Sequence, residues 1–174
     1  DVQPGPLRGK SDSKRSLRQS PQFRDQNMPH RTVASSWTGV YTYDPIPELP
    51  KKLDDAPFDL SLNVGWFGRF TGVIIDHPPG IPEPATIAGR ISGNTIHFTK
   101  KYRSLWIVDE HGKLTNLPDE RSLVLHYEGQ FDQHRTSISG TWKIVAEHRR
   151  ISGVEWKVPT ASGRWNATIS RNAK

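Results

Sequence analysis

The chain has 174 residues, a formal net charge of +6 and no cysteine. That length holds one ordinary domain plus an extension and buries a core without staples. The lack of cysteine excludes a disulfide framework, a thiolate zinc or iron–sulfur site and a cysteine nucleophile, and no apolar run approaches the roughly 20 residues of a membrane-spanning helix.

The charge is concentrated at the start. Residues 1–35 carry Arg8, Lys10, Lys14, Arg15, Arg18, Arg24 and Arg31 against Asp1, Asp12 and Asp25, a balance of +4 that leaves +2 for the rest. Phe23 is their one aromatic residue, and neither the helical nor the strand period is present. They are therefore predicted to be a disordered tail, either solvated or a tether to an acidic surface. With so little charge left, the remainder does not read as a specific nucleic-acid binder. A chain that opens on Asp1 reads as a processed form or a fragment, and its compartment stays open.

From Ser36 onward short runs alternate in period two, rich in β-branched and aromatic residues. Strands are predicted near 37–43, 58–66, 69–75, 86–92, 95–102, 123–131, 136–145 and 163–169. The apolar face of the first holds Trp37, Gly39, Tyr41 and Tyr43, and that of the second runs from Phe58 to Trp66. The 148–160 stretch reads as a helical turn or a short extra strand near Val154–Trp156. Phe67-Gly68, Gly93-Asn94 and Gln133–Arg135 are connections short enough to join antiparallel neighbours only. The Pro-rich segments 45–57 and 78–84 bracket strands and stiffen loops, or present a polyproline ligand.

Six of the eight predicted strands place a glycine on the face of their large apolar residues: Gly39, Gly72, Gly89, Gly129, Gly140 and Gly163. Glycine weakens a lone strand, so the repetition points to the tight coiling of a closed sheet. The fold expected over 36–174 is all-β, a single antiparallel up-and-down barrel of about eight strands, with a β-sandwich as the alternative. Closure makes the last strands neighbours of the first. Trp37, Trp142 and Trp165 could then share one aromatic wall with Tyr41 and Tyr43, either as core plugs or as the side of a pocket.

Ser36-Trp37-Thr38-Gly39-Val40-Tyr41, Gly68-Arg69-Phe70-Thr71-Gly72 and Ile138-Ser139-Gly140-Thr141-Trp142 resemble strands of the avidin-like and wider calycin barrels. The resemblance covers most of residues 36–170 and implies a small meander barrel in which Trp142 stacks on a ligand. The ring of small polar residues that holds a ureido group in avidins is not located in this sequence. Similar barrels serve as substrate-recognition modules in some F-box proteins.

The function expected first is a non-enzymatic binding barrel for a small apolar or aromatic ligand, with Trp37, Tyr41, Phe98, Tyr127, Trp142 and Trp165 as candidate lining. A protein-interaction or substrate-recognition barrel is second, and a cyclase- or lyase-type enzyme third. No cofactor and no metal are expected, and an oligomer is compatible with the sequence. His97, His126 and Glu128 fall on the face opposite the glycines, where they read as an exposed polar face or as metal or acid–base groups. Asp109-Glu110 and Asp119-Glu120 read as solvated loop charges. Asn166-Ala167-Thr168 fits a glycosylation triplet inside a predicted strand.

Overall fold

The computed structural model describes residues 33–46, 53–108, 113–151 and 153–170. The predicted tail lies outside the described residues up to Thr32, as do Asp109-Glu110 and part of the first Pro-rich loop.

Among the described residues twelve strands follow in chain order: β1 (Val33–Tyr41), β2 (Ala56–Val64), β3 (Arg69–Asp76), β4 (Ala85–Ser92), β5 (Thr95–Lys101), β6 (Leu105–Val108), β7 (Leu114–Leu117), β8 (Leu125–Phe131), β9 (Ser137–Ile144), β10 (Glu147–Ile151), β11 (Val154–Val158) and β12 (Ala161–Ile169). Eight of them close into an antiparallel barrel in the order β1-β2-β3-β4-β5-β8-β9-β12, and β12 returns to β1 with Gly39 opposite Ala167. This is the predicted up-and-down barrel, and the sandwich is excluded. The other four strands form two hairpins, β6–β7 and β10–β11, inserted in the connections after β5 and after β9.

Two local expectations change, and one is decided. β1 starts at Val33, because Val33, Ala34 and Ser35 pair with Val64, Asn63 and Leu62. In the 148–160 stretch the extra strand near Val154–Trp156 is present, as one arm of a hairpin with Arg149 opposite Trp156. Trp66 does not continue the inward face of β2. It opens a 3-10 turn over Trp66–Gly68 and is 59% exposed. Residue 65 is glycine, and the backbone leaves the ladder there, so the period-two face ends at Val64.

Four of the six inward glycines are paired with the rings of neighbouring strands. Gly39 lies opposite Phe58, Gly89 between Phe70 and Phe98, Gly140 opposite Trp165, and Gly163 opposite Trp142. A Cβ on Gly163 would fall on the Thr42 carbonyl and lie 2.7 Å from Trp142 Nε1. One on Gly129 would lie 2.7 Å from Trp165 Cζ2. The glycines thus make room for aromatic side chains to lie across the strand, which is a second reason for the column beside curvature.

The up-and-down order sorts the connections. Gly65–Gly68, Gly93-Asn94 and 132–136 close one end of the barrel, where β1 begins and β12 finishes. The four long connections, 42–55, 77–84, 102–124 and 145–160, all fall at the other end. An eight-stranded barrel has an interior about wide enough for side chains to fill, and here they fill it from the closed end upward. Trp37 meets Phe131 edge-on at 6.0 Å near the closed end. Phe98 stacks on Tyr127 at 4.6 Å and meets Trp165 edge-on at 5.6 Å in the middle.

Candidate functional site

The inward face changes chemistry as it approaches the loop-bearing end. On β3 the inward positions run Phe70, Gly72, Ile74 and then Asp76. From β5 they run Ile96, Phe98, Lys100 and on to Tyr102. Asp76 and Lys100 project from strands separated by β4, on which Ile87 lies opposite Lys100 and the small, fully buried Ala85 opposite Ile74. Lys100 Nζ donates to both Asp76 carboxylate oxygens at 2.7 Å, and the two side chains are 1% and 0% exposed. The Tyr102 hydroxyl donates to Asp76 Oδ2. The ammonium also sits 5.0 Å from the Tyr41 ring centre and 4.9 Å from that of Tyr102.

This ionic group is roofed by aromatic side chains. Tyr41 stacks on Phe58 at 5.9 Å and meets Trp142 edge-on at 6.3 Å. Tyr43 meets Trp142 at 5.3 Å, and Trp142 Nε1 donates to the Thr42 carbonyl at 3.0 Å. Burial pushes the phenols of Tyr41, Tyr102 and Tyr127 well up, helped by the nearby Asp76 carboxylate, and lifts Tyr43 to about 12. Burial lowers Lys100, and Asp76 opposes that shift. The four phenols are therefore hydrogen-bond donors over the whole physiological range.

The long connections brace one another above the group. Glu83, in the connection after β3, accepts hydrogen bonds from Ser104 Oγ at 3.0 Å and Trp106 Nε1 at 2.6 Å, which ties the β6–β7 region to it. Arg149 of β10 donates to the carbonyls of Arg121 and Ser122. Ser162 Oγ donates to Asp44 at 2.7 Å, joining the connection after β1 to β12. A Cβ on Gly80 would sit 2.8 Å from Asp76 Cβ and 3.0 Å from the Tyr41 hydroxyl, so the 77–84 connection lies close over both.

All six candidate lining residues face inward and are buried. They do not form one wall. Trp37 lies near the closed end against Phe131, whereas Phe98, Tyr127 and Trp165 form the middle of the core. Tyr41 and Trp142 join Tyr43 in the aromatic roof beside Lys100, and Trp142 also stacks on Tyr127 at 6.5 Å, so the roof continues into the middle group while Trp37 lies apart. Adjacent strands do carry the three tryptophans, but Trp165 is opposite Tyr41 while Trp37 is opposite Ile169, four residues along β1. The expectation of a shared wall ignored that stagger.

Asp76, Lys100 and Tyr102 were outside the predicted site. The available signal was the continuation of two inward faces into opposite charges at the same barrel end.

His97, His126 and Glu128 occupy the outer wall on adjacent strands, with His97 opposite Glu128. They line part of an outer concavity of about 780 Å3 that also includes Arg90, Lys143 and Arg164. Among the described residues no three His, Cys, Asp or Glu side chains converge as a metal-binding set. Asn166 is an exposed outward residue of β12.

No protein-family model matches the sequence, and no curated protein is similar to it. Solved structures similar to it include two of rhizavidin. Rhizavidin is 13% identical over 82% of this chain and 87% of that chain, with a TM-score of 0.44. The rhizavidin–biotin complex is 14% identical over 82% of this chain and 96% of that chain, with a TM-score of 0.46. The barrel itself rests on this chain's own strand pairing, which closes eight antiparallel strands in up-and-down order.

Proposed function

We propose that this protein is a non-enzymatic binding barrel that takes a small, partly planar ligand at its loop-bearing end, against Tyr41, Tyr43 and Trp142 and above Asp76, Lys100 and Tyr102. One observation carries the reading. A fully buried, hydrogen-bonded ion pair sits at the end of the barrel where all four long connections gather. For stability alone, apolar residues of similar volume serve as well or better than a buried ion pair. Its retention at the loop-bearing end, with Tyr41, Tyr43 and Trp142 packed beside it, points to a role other than stability. The ligand expected is a small molecule with a flat apolar body and one hydrogen-bonding group. Trp37, Phe98 and Trp165 then act as the floor that holds the site rigid.

Lys100 engages both oxygens of Asp76 and is sealed from water, which keeps it from acting as a free nucleophile. The test is native mass spectrometry of the full chain as purified, followed by thermal-shift screening with small aromatic acids and amides. A bound adduct or a ligand-dependent rise in Tm that disappears in the Asp76→Leu, Lys100→Met double variant supports the reading. No adduct and no shift with any compound, or a shift the double variant retains, refutes it.

A second reading, recognition of a protein partner, is favoured by the exposure of Val145, Val154 and Trp156 on and beside the β10–β11 hairpin. Sedimentation velocity of the full chain, alone and with candidate partners, tests it. The hairpin variant Val154→Ser, Trp156→Ser should abolish any association observed.

A further inference from the structure

The closed end of the barrel carries a feature that neither its core nor the proposed ligand site uses. The turn between β2 and β3 presents Trp66 and Phe67 to solvent, 59% and 81% exposed, with ring centres 6.3 Å apart. Phe67 has φ 55° and ψ 27°, followed by Gly68 at φ 72°. Left-handed backbone at a bulky non-glycine residue is disfavoured, and glycine or asparagine would hold the same turn without that cost. Such strained residues concentrate at functional positions.

Basic groups flank the turn. Arg69 begins β3 and lies directly opposite Arg90 on β4. Like charges placed opposite each other in a sheet are unfavourable, and neither guanidinium meets a carboxylate among the described residues. Asp132, in the neighbouring turn, is engaged by Thr136 and Ser137. The start of β1 is at the same place, since Val33 pairs with Val64, two residues before Trp66. The segment that leads into Val33 carries seven Lys and Arg against three Asp.

We infer that this end of the barrel docks on an anionic lipid surface, with Trp66 and Phe67 entering the interface and Arg69 and Arg90 meeting the lipid phosphates. Aromatic side chains are favoured at the level of lipid headgroups, and basic segments are drawn to anionic leaflets. Binding to such a surface grows with the apolar area buried in it and with the electrostatic attraction to anionic lipids. Here the chain brings both to one end of a rigid scaffold, with the other end left free for a ligand.

The experiment is co-sedimentation of the full chain with vesicles of phosphatidylcholine alone and of phosphatidylcholine mixed with phosphatidylserine. Binding is expected only with phosphatidylserine present, and it should weaken as salt is raised. Phe67→Asn suits the left-handed turn, so it keeps the fold and should lower binding about tenfold, as should Arg69→Gln with Arg90→Gln. Circular dichroism of each variant confirms the fold. Failure of the full chain to bind the mixed vesicles, or equal binding by Phe67→Asn, overturns the proposal. Binding to a single-stranded oligonucleotide with none to vesicles overturns it too, in favour of a nucleic-acid partner.

Discussion

Lys100 Nζ lies 2.7 Å from each carboxylate oxygen of Asp76, and the two charges neutralise each other inside the barrel, out of contact with water. Their worth depends on being removed together or singly. Asp76→Asn or Lys100→Met leaves one uncompensated charge and should cost about 3–5 kcal/mol of stability. The Asp76→Leu, Lys100→Met double variant should lie close to wild type or above it. Urea denaturation of the three variants measures the difference, and additive losses in the double variant would contradict the account.

Gly163→Ala should be destabilising by about 1–3 kcal/mol, because the added methyl overpacks the space held by Trp142 and the Thr42 carbonyl. Removal of the Trp142 donor by Trp142→Phe gives a milder loss, since it breaks the bond to Thr42 and keeps most of the ring. Near-ultraviolet circular dichroism should report a disturbed Trp142 in the alanine variant.

Four buried phenols predict alkaline sensitivity. Tyr41, Tyr43, Tyr102 and Tyr127 all have raised folded-state pKa values. Their neutral forms are favoured in the fold, so this contribution is intact below the unfolded value near 10 and falls as pH rises above it. Each phenol still neutral in the fold takes away about 1.4 kcal/mol per pH unit. Lys100, whose shift is downward, has the opposite slope only below its ordinary value near 10.5. Above that pH stability should drop steeply, and tyrosinate absorbance should appear together with unfolding rather than before it.

Asp132 predicts an acid-side effect at the closed end. Its carboxylate accepts from the Ser137 and Thr136 backbone amides and from Thr136 Oγ1, and these bonds lower its pKa. The contribution is present above the ordinary carboxylate pKa and fades as pH falls through the lowered one. Asp132→Ala should therefore lose stability at neutral pH and show a weaker acid dependence than wild type. Denaturant midpoints at neutral and acidic pH decide this.

Phe67 should be replaceable with a gain in stability. Glycine or asparagine relieves the left-handed strain and exposes less apolar surface, so Phe67→Gly or Phe67→Asn should gain about 1 kcal/mol. A loss in thermal melting would mean that the exposed ring is held by contacts that repay its conformation.

Period-two alternation, the glycine column and the short turns determined the strand class, the antiparallel order and the closed barrel, because each is a local property of consecutive residues. They also placed all six candidate residues inside. Tertiary structure decided the level of each within the barrel, since strand tilt and stagger separate Trp37 from Trp142 although their strands are near neighbours. It put Trp66 in water, where the backbone turns away at Gly65. The pairing of Asp76 with Lys100 was the furthest from sequence reach. An inward charge on one strand has meaning only when the fold supplies its partner, and here that partner comes from two strands away, across β4.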